Sequence, residues 1–471
     1  MKVRLGIDVA CRAHHQASLA DETGGFIWSG WRFHTTVAEL EALWAKIPGG
    51  AEVTVVMEPT RNAWVPLAGW LKARGATVVL VAPERSADLR DYYAKHTKTD
   101  RLDSRMLARL LLLHPEGLKA LDGLGPAETF KRAVRRRWSL VERRHGCCQR
   151  LDAMVEMLGP SYADALGTTD YSDTALVVLE RYGDPRALRR LGRQRLSSLV
   201  RRVSRGHWSE TKADGLLAAA EEALQLWAAG GLDFAELAAD IAAEIRVVRA
   251  LGEEVSRLDA RIEELYQRAD PGGIVLSAPG LGVTLSAAIL GRFGDLDRFS
   301  SLAGVRSFTG LVPKVDQSGN ANGHGGPTKT GDPGLRMVLF QAADHARRAD
   351  PQLAAKYHRL VVKEGKHHDS ALCHVAATLA TRIAACWRGK VPYALRDVDG
   401  RIVTEAEGRA IVTERYTIPD DVRRARRRAS RAKQLKGRTS RRSQKSTGAA
   451  PAAGSSTTRK PTRTRKVAYA T

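Results

Sequence analysis

The sequence predicts an α/β domain at the N-terminus, then a long helical middle, a mostly helical C-terminal domain and a disordered basic tail. Three observations predict it. Short β-branched runs alternate with helical spacing over the first 115 residues, apolar residues recur with heptad spacing over residues 234–265, and after Pro419 the composition collapses into Arg, Lys, Ser, Thr, Ala and Gly. At 471 residues the chain is long enough for two or three sizeable cores.

Taken in order, residues 3–9 form a β-branched strand with Asp8 near its end, and residues 16–20 and 26–33 form two further strands around a turn at 21–25. Helical spacing follows over 37–47. Residues 53–57 are a short apolar run of the kind expected for a buried strand, with Glu58 directly after it. A helix over 63–74 and a buried strand over 77–82 lead to a helix over 100–113, with Leu102, Met106, Leu107 and Leu110 on its apolar face. Three strands, helix, strand, helix, strand and closing helix is the element order of the RNase H-like fold, assigned here to residues 1–118.

The middle, residues 126–268, reads as coiled coil. Phe234, Ile241, Val248, Val255 and Ile262 fall at a positions; Leu237, Glu244, Leu251, Leu258 and Leu265 fall at d. On an earlier helix, over 126–158, Val134, Val141, Cys148 and Val155 stand seven apart. The two helices suit either an antiparallel hairpin or a seam joining copies into dimers or higher oligomers. Residues 161–230 between them read as a less regular helical insert with no chemistry to name. The C-terminal domain spans 274–395. The tail, 422–471, holds 17 of the 75 Lys and Arg and none of the 52 Asp and Glu. Such a segment cannot bury enough apolar surface to offset its ordering entropy.

The net charge of +23 favours polyanion partners, nucleic acid first. Residues 131–150 alone carry eight Lys or Arg against one Glu, with Trp138 among them, which suits a phosphate-tracking surface or a solvated helix face. Five cysteines without a CxxC pair argue against a disulfide framework and a cysteine zinc site, and fit a reducing cytoplasm. The N-terminus lacks the apolar core of a signal peptide, and the longest apolar stretches are too short to span a bilayer. The expectation is a cytoplasmic, nucleoid-associated protein with no membrane partner.

Four carboxylates stand out. Asp8 and Glu58 end strands that are neighbours in an RNase H-like sheet. Asp100 and Asp103 share one helix face, on the helix that crosses those strand ends. Each acid alone reads as a solvated or capping residue, and Asp100 suits the cap of its helix. Together they form a cluster that is costly unless a cation neutralises it, and hard oxygen ligands select Mg²⁺ or Mn²⁺. Such ions serve hydrolysis or transfer at a phosphodiester.

The blocks GIDVA, MEPT and KTDRLDSRMLA resemble the three acidic motifs of the DEDD transposases, the insertion-sequence family numbered one hundred and ten, related to the Piv-type DNA invertases. The resemblance implies a RuvC-like N-terminal domain whose catalytic and metal-binding residues are Asp8, Glu58, Asp100 and Asp103. Ser104 departs from the alanine that commonly follows the last Asp. Cys11-Arg12 stand in a stretch after Asp8 that often contains lysine in the family.

In the C-terminal domain, residues 277–301 read as a helix-hairpin-helix. Gly280 and Gly282 in its hairpin would let backbone approach a phosphate; a plain helical turn is the alternative. Beyond it lie Ser318-Gly319, a Gly/Asn-rich loop, Lys329, and Asp332-Pro333 as an N-cap and first-turn pair before Arg336. By its chemistry alone Ser318 is a turn residue. The same family resemblance covers this block and implies that Ser318 is the nucleophile that becomes linked to DNA, with Lys329 and Arg336 as phosphate contacts. Pro333-Gly334 is unusual within the block. The Gly365-Lys366 turn and a small-residue helix from Ala371 also look family-like.

The resemblance further implies a cut-and-rejoin recombinase acting through a Holliday-junction-like intermediate, as a homo-oligomer, guided by a structured RNA. Two other readings fit the residues: a metal-dependent junction endonuclease in which water attacks, and a non-catalytic nucleic-acid-binding protein.

Overall fold

The structure is a computed structural model that describes residues 1–83, 86, 99–115, 118, 120–121, 123–125, 128–167, 171–294, 296, 298–318, 321–329 and 331–425. The first five strands are β1 (Lys2–Asp8), β2 (His15–Ala20), β3 (Phe26–Phe33), β4 (Glu52–Met57) and β5 (Thr77–Leu80), with α1 (Val37–Trp44), α2 (Trp64–Ala73) and α3 (Asp100–Leu113) around them. They form one mixed sheet in the order β3-β2-β1-β4-β5. β1 is antiparallel to β2 and parallel to β4; β2 and β3 are antiparallel, β4 and β5 parallel. This is the arrangement expected of an RNase H-like start.

The sheet is covered on both faces. Val3, Leu5, Ile7, Val55 and Met57 pack with Leu40 and Leu43 of α1 and Leu67 and Leu71 of α2. Val56 and Val79 point the other way, onto Leu107 and Leu110 of α3. Strands buried on both sides need continuous apolar runs, which is why β4 reads as one in the sequence.

The remainder is mostly helical. α4 (Thr129–Glu156) and α9 (Phe234–Ala269) pair antiparallel within the chain, as the ion pairs Arg150–Glu244 and Arg136–Glu254, both 2.8 Å, and Arg137–Asp259 show. The heptad is consumed in this hairpin. Ile241 and Val248 are buried with Cys148, Leu151 and Val155, and Leu258 and Ile262 with Val134 and Leu140. Of the two arrangements the heptad suits, the chain forms the antiparallel hairpin, which buries Phe234, Leu237, Ile241, Val248, Leu258 and Ile262 and leaves Leu251, Val255 and Leu265 half-buried. Glu244, the polar d position, meets Arg150.

Among the described residues the insert holds four helices, α5 (Pro160–Leu166), α6 (Asp173–Tyr182), α7 (Pro185–Val203, kinked at Gly192) and α8 (Glu210–Leu226). Tyr162, Leu176, Leu196 and Leu216 form one core with one end of the hairpin.

The C-terminal part contains α10 (Val283–Phe293), α11 (Leu302–Thr309), β6 (Pro313–Ser318), β7 (Ala321–Pro327), α12 (Pro333–Ala346), α13 (Pro351–His358), a π-helical turn (Arg359–Lys363), α14 (His368–Gly389) and α15 (Glu405–Arg415). Two expectations are corrected. The helix-hairpin-helix lacks its first helix, because residues 271–280 run through turns and bends. The buried carboxylate of Asp270 accepts the Ile274 and Val275 amides at 2.8 and 2.9 Å and the Tyr266 hydroxyl at 2.6 Å, which ends α9 and sets the turn that follows. The Gly/Asn-rich loop is a β-hairpin: β6 and β7 are antiparallel and Ser318 pairs with Ala321. The two residues between, Gly319-Asn320, are of the type that suits a two-residue hairpin connection.

Packing continues past Leu395, with Val403 and Ile411 buried and Ile418 and Val422 against the C-terminal core. Of the expected disordered tail, everything from residue 426 on lies outside the described residues. Among the described residues no helix is long and apolar enough to cross a membrane.

Candidate active site at the carboxyl end of the sheet

β1 and β4 pair with Ile7 opposite Met57, so Asp8 and Glu58 are the next residues on two neighbouring parallel strands. Parallel strands lie roughly 4.8 Å apart, which makes the two carboxylates neighbours. Both are half-buried. The Ser86 hydroxyl, 3% exposed, donates to Glu58 Oε2 at 2.5 Å. No motif in the sequence marks Ser86.

α3 delivers the other two acids. It crosses β1 at Gly6, where a Cβ would lie 2.1 Å from Ser104 O and 2.3 Å from Ala108 N. Its first turn lies by Gly30, whose Cβ would meet Arg101, and its last by Gly24 in the β2–β3 turn, whose Cβ would meet Leu112. The helix thus runs opposite to β1, and its N-terminus sits at the end of the sheet that carries Asp8 and Glu58. Asp103 there is 8% exposed, while Asp100, three residues earlier, is exposed.

The cap of α3 is Thr99, whose side chain accepts from Leu102 N, so Asp100 is not needed for capping. Both acids still gain from the positive end of the helix dipole. Ser104 has a role an alanine would lack. Its hydroxyl meets Ser18 Oγ at 2.8 Å, and Ser18 meets Ser29 at 3.1 Å, stitching α3 to β2 and β3.

The four predicted acids therefore share one end of the sheet. Among the described residues no group of three or more His, Cys, Asp or Glu is gathered closely enough to hold a metal ion as the chain stands. Asp100 precedes Asp103 by about 4.5 Å along the helix axis and reaches solvent.

Histidines brace the same end. Ala10 N donates to His15 Nδ1 at 3.1 Å, and His15 Nε2 lies 2.7 Å from Thr35 Oγ1. An acceptor at Nδ1 leaves the proton on Nε2, so the ring is a neutral brace for the chain just after Asp8. Burial, then the neighbouring His34, lowers the His15 pKa below 6.5. His14 and His34 stack at 3.9 Å between centroids. The adjacent pair His14-His15 was visible in the sequence, but nothing there tied it to Asp8.

In the C-terminal part, Ser318 is the last residue of β6, at the tip of its hairpin. Asp332 caps α12, accepting from Gly334 N and Leu335 N, and takes an ion pair from Arg292 at 2.6 Å. Gly331 approaches α11 so closely that a Cβ would lie 2.1 Å from Phe308 O. A Cβ on Gly334 would fall 2.2 Å from the Arg292 guanidinium, so the unusual Pro-Gly of this block makes room for Arg292, which sequence reasoning missed. Arg336 Nη1 donates to Gly331 O at 2.6 Å and helps hold the loop. Lys329 is exposed in a left-handed conformation (φ 58°), with its amide bonded to Gly310 O. Gly280, also left-handed, lies against the chain itself: a Cβ would be 2.7 Å from that of His345. Gly282 faces open space.

Comparison with known proteins agrees at both ends of the chain. A transposase model of the DEDD IS110 type matches residues 5–160, and a model described as Transposase IS116/IS110/IS902 family matches residues 273–358. A 43.6 kDa protein of insertion element IS110 from Streptomyces coelicolor is 27% identical over 399 residues, 84% of this chain and 96% of that protein. A 44.8 kDa protein of insertion element IS116 from Streptomyces clavuligerus is 27% identical over 83% of this chain and 95% of its own length. A 42 kDa protein of insertion element IS900 from Mycobacterium paratuberculosis is 28% identical over 74% of this chain and 85% of its own. The fold and these matches define a transposase, an enzyme that binds and recombines DNA. The chain belongs to the IS110 family of DEDD transposases, a class that works with a divalent metal.

Proposed function

We propose that this transposase cuts and rejoins DNA with Ser318 as nucleophile, and that Asp8, Glu58, Asp100 and Asp103 of a RuvC-like domain hold its divalent cations, Mg²⁺ or Mn²⁺. The observation that carries the proposal is the register of β1 and β4, which sets Asp8 beside Glu58 while α3 brings Asp103 to the same strand ends. The donor chemistry fits: an all-carboxylate set with a buried member is what a hard cation requires and what repels itself otherwise. Bound there, the cation would supply Lewis acidity toward phosphate oxygens.

The chain's own part is positioning. Ser86 orients Glu58 and His15 orients the residues after Asp8. At the reacting phosphorus, Ser318 Oγ loses its proton and forms a new P–O bond as the P–O bond to the departing strand breaks. That strand leaves as a hydroxyl once protonated. The linkage conserves the phosphoester, so the reverse attack by a strand hydroxyl rejoins DNA without an outside energy source. Lys329 and Arg336, with Gly280 and Gly282 at the start of α10, are proposed to contact phosphates. The family resemblance supports a structured guide RNA and assembly of two or more copies, with the carboxylates and the serine meeting across them. As working units we take residues 1–118, 126–268 and 274–395.

The test is Ser318→Ala. It should fold and bind DNA like the parent but lose strand transfer, and the parent should leave a denaturation-resistant protein–DNA adduct that maps by mass spectrometry to the Ser318 peptide. Normal recombination by the variant, or an adduct elsewhere, would replace this reading with a hydrolytic one in which water attacks. Full cleavage by a folded Asp8→Asn variant would remove the metal-site assignment.

A further inference from the structure

Lys356 of α13 is half-buried, and its ammonium donates to the Thr378 hydroxyl of α14 at 2.5 Å. Among the described residues it has no ion-pair partner. The charges that bear on it are all positive: Arg359 one turn on, Arg382 of α14 and Arg306 of α11. We propose that Lys356, with Arg306 and Arg359, seats a backbone phosphate of a nucleic-acid strand on the face where α11 and α13 flank α14.

The carboxylates nearby are committed elsewhere. Arg382 bonds the buried Asp350 at 3.0 Å. Glu364 is shared by Arg359 at 3.6 Å and Lys366 at 3.7 Å, long pairs in contact with solvent that contribute little. Arg306 is exposed and has no ion pair among the described residues. The exposed Arg306 and Arg359 can reach a strand; the half-buried Lys356 is the group that needs one. An ammonium drawn partly out of water among like charges is unfavourable until an anion arrives. Burial, then the three arginines, holds Lys356 below its ordinary pKa. Burial, then Lys366 and Lys356, does the same to His374, one turn before Thr378, with Glu364 opposing.

The lysine is also held in place. Asp350 caps α13 and takes Arg382 and the Tyr393 hydroxyl at 3.0 and 2.6 Å, which fixes α13 to α14. α13 runs on into the π-helical turn Arg359–Lys363, a form frequent at functional sites. The face adjoins the block that carries Ser318. The Lys329 amide donates at 3.1 Å to Gly310 O, one turn beyond Arg306 at the end of α11, and the Lys329 charge bears on Cys373, the neighbour of His374. A strand that reaches Lys329 would therefore pass beside Lys356. The inference rests on the strand-binding part of the proposed function and not on the serine chemistry.

The experiment uses the full chain without turnover, so it can fail while the Ser318 adduct still forms, and the adduct can fail without touching it. The probes are inorganic phosphate and single-stranded DNA and RNA of one sequence. Lys356→Met keeps the length of the side chain and removes its charge. It should raise the melting temperature of the free protein, because a charge crowded by cations is gone. It should also bind an oligonucleotide about tenfold more weakly, with a salt slope smaller by about 0.7. A lysine kept for structure alone would give the reverse, a lower melting temperature and unchanged binding. Arg306→Gln, at an exposed position, should weaken binding at the parental melting temperature, and it stands in if Lys356→Met does not fold. Arg246→Gln, exposed on α9, is the control for a lost charge. Loss confined to DNA or to RNA identifies the strand that occupies the site, and loss of both supports a shared phosphate site. The proposal is overturned if neither variant binds the oligonucleotides more weakly than the Arg246 control. It is also overturned if inorganic phosphate stabilises the parent but not Lys356→Met while strand binding is unchanged, which would make this a site for the free anion.

Discussion

At the residue scale the site depends on positions where one atom decides. Gly6 lets α3 rest on β1, and the atoms a Cβ would strike are backbone atoms of Ser104 and Ala108, which cannot swing aside. Gly6→Ala is expected to cost about 1–3 kcal/mol or more. Because the helix it displaces carries Asp100 and Asp103, strand cleavage should fall even where the protein stays folded. A urea titration followed by a cleavage assay checks both, and a variant with parental stability would refute the close approach.

His15 gives a pH signature. Its folded pKa is depressed, chiefly by burial, so the folded state binds the proton less readily than the unfolded chain does. Its stabilising contribution is therefore present above about 6.5 and is lost as pH falls below that value toward the folded pKa. His368 and His374, also lowered by burial, act in the same direction. Melting temperature should drop on acidification through this window. His15→Gln should flatten part of the drop, and an unchanged profile would mean that the ring is not held neutral.

At the scale of elements, the α4–α9 hairpin tests how a heptad is used. Leu258 is buried against α4 of its own chain, so Leu258→Asp places a carboxylate in a closed seam. The expected result is destabilisation of roughly 3 kcal/mol or more with no change in sedimenting mass. A shift to a smaller species would show that the seam joins copies after all. The heptad itself was legible, including Glu244 as the polar position. Its partner was not, because periodicity marks an apolar stripe without saying which helix covers it. The β6–β7 hairpin differs: Gly-Asn between two short runs was a hairpin signal, and the glycine-rich composition around it read as loop instead.

At the scale of the molecule, the basic tail can be separated from the ordered part, but the cut must respect packing. Ile418 and Val422 lie against the C-terminal core, so truncation belongs after residue 425. The shortened chain should keep its melting temperature, bind DNA more weakly at low salt with a shallower salt slope, and turn over normally at saturating DNA. Loss of activity at saturation would give the tail a specific role.

The sequence by itself determined the order of strands and helices in the first 113 residues, the heptad, and the identity of the four acids and of Ser318 as candidates. These are local facts, carried by the period of apolar residues and by motifs contiguous in the chain. Tertiary structure alone decided that Thr99 caps α3, that Gly6 seats it, that Ser86 and His15 brace the acids, and that Gly334 accommodates Arg292. Each of these joins residues far apart in the chain, or turns on which of several competing side chains reaches an amide first. No spacing along a single chain encodes such contacts, because they exist only after the sheet and helices have packed.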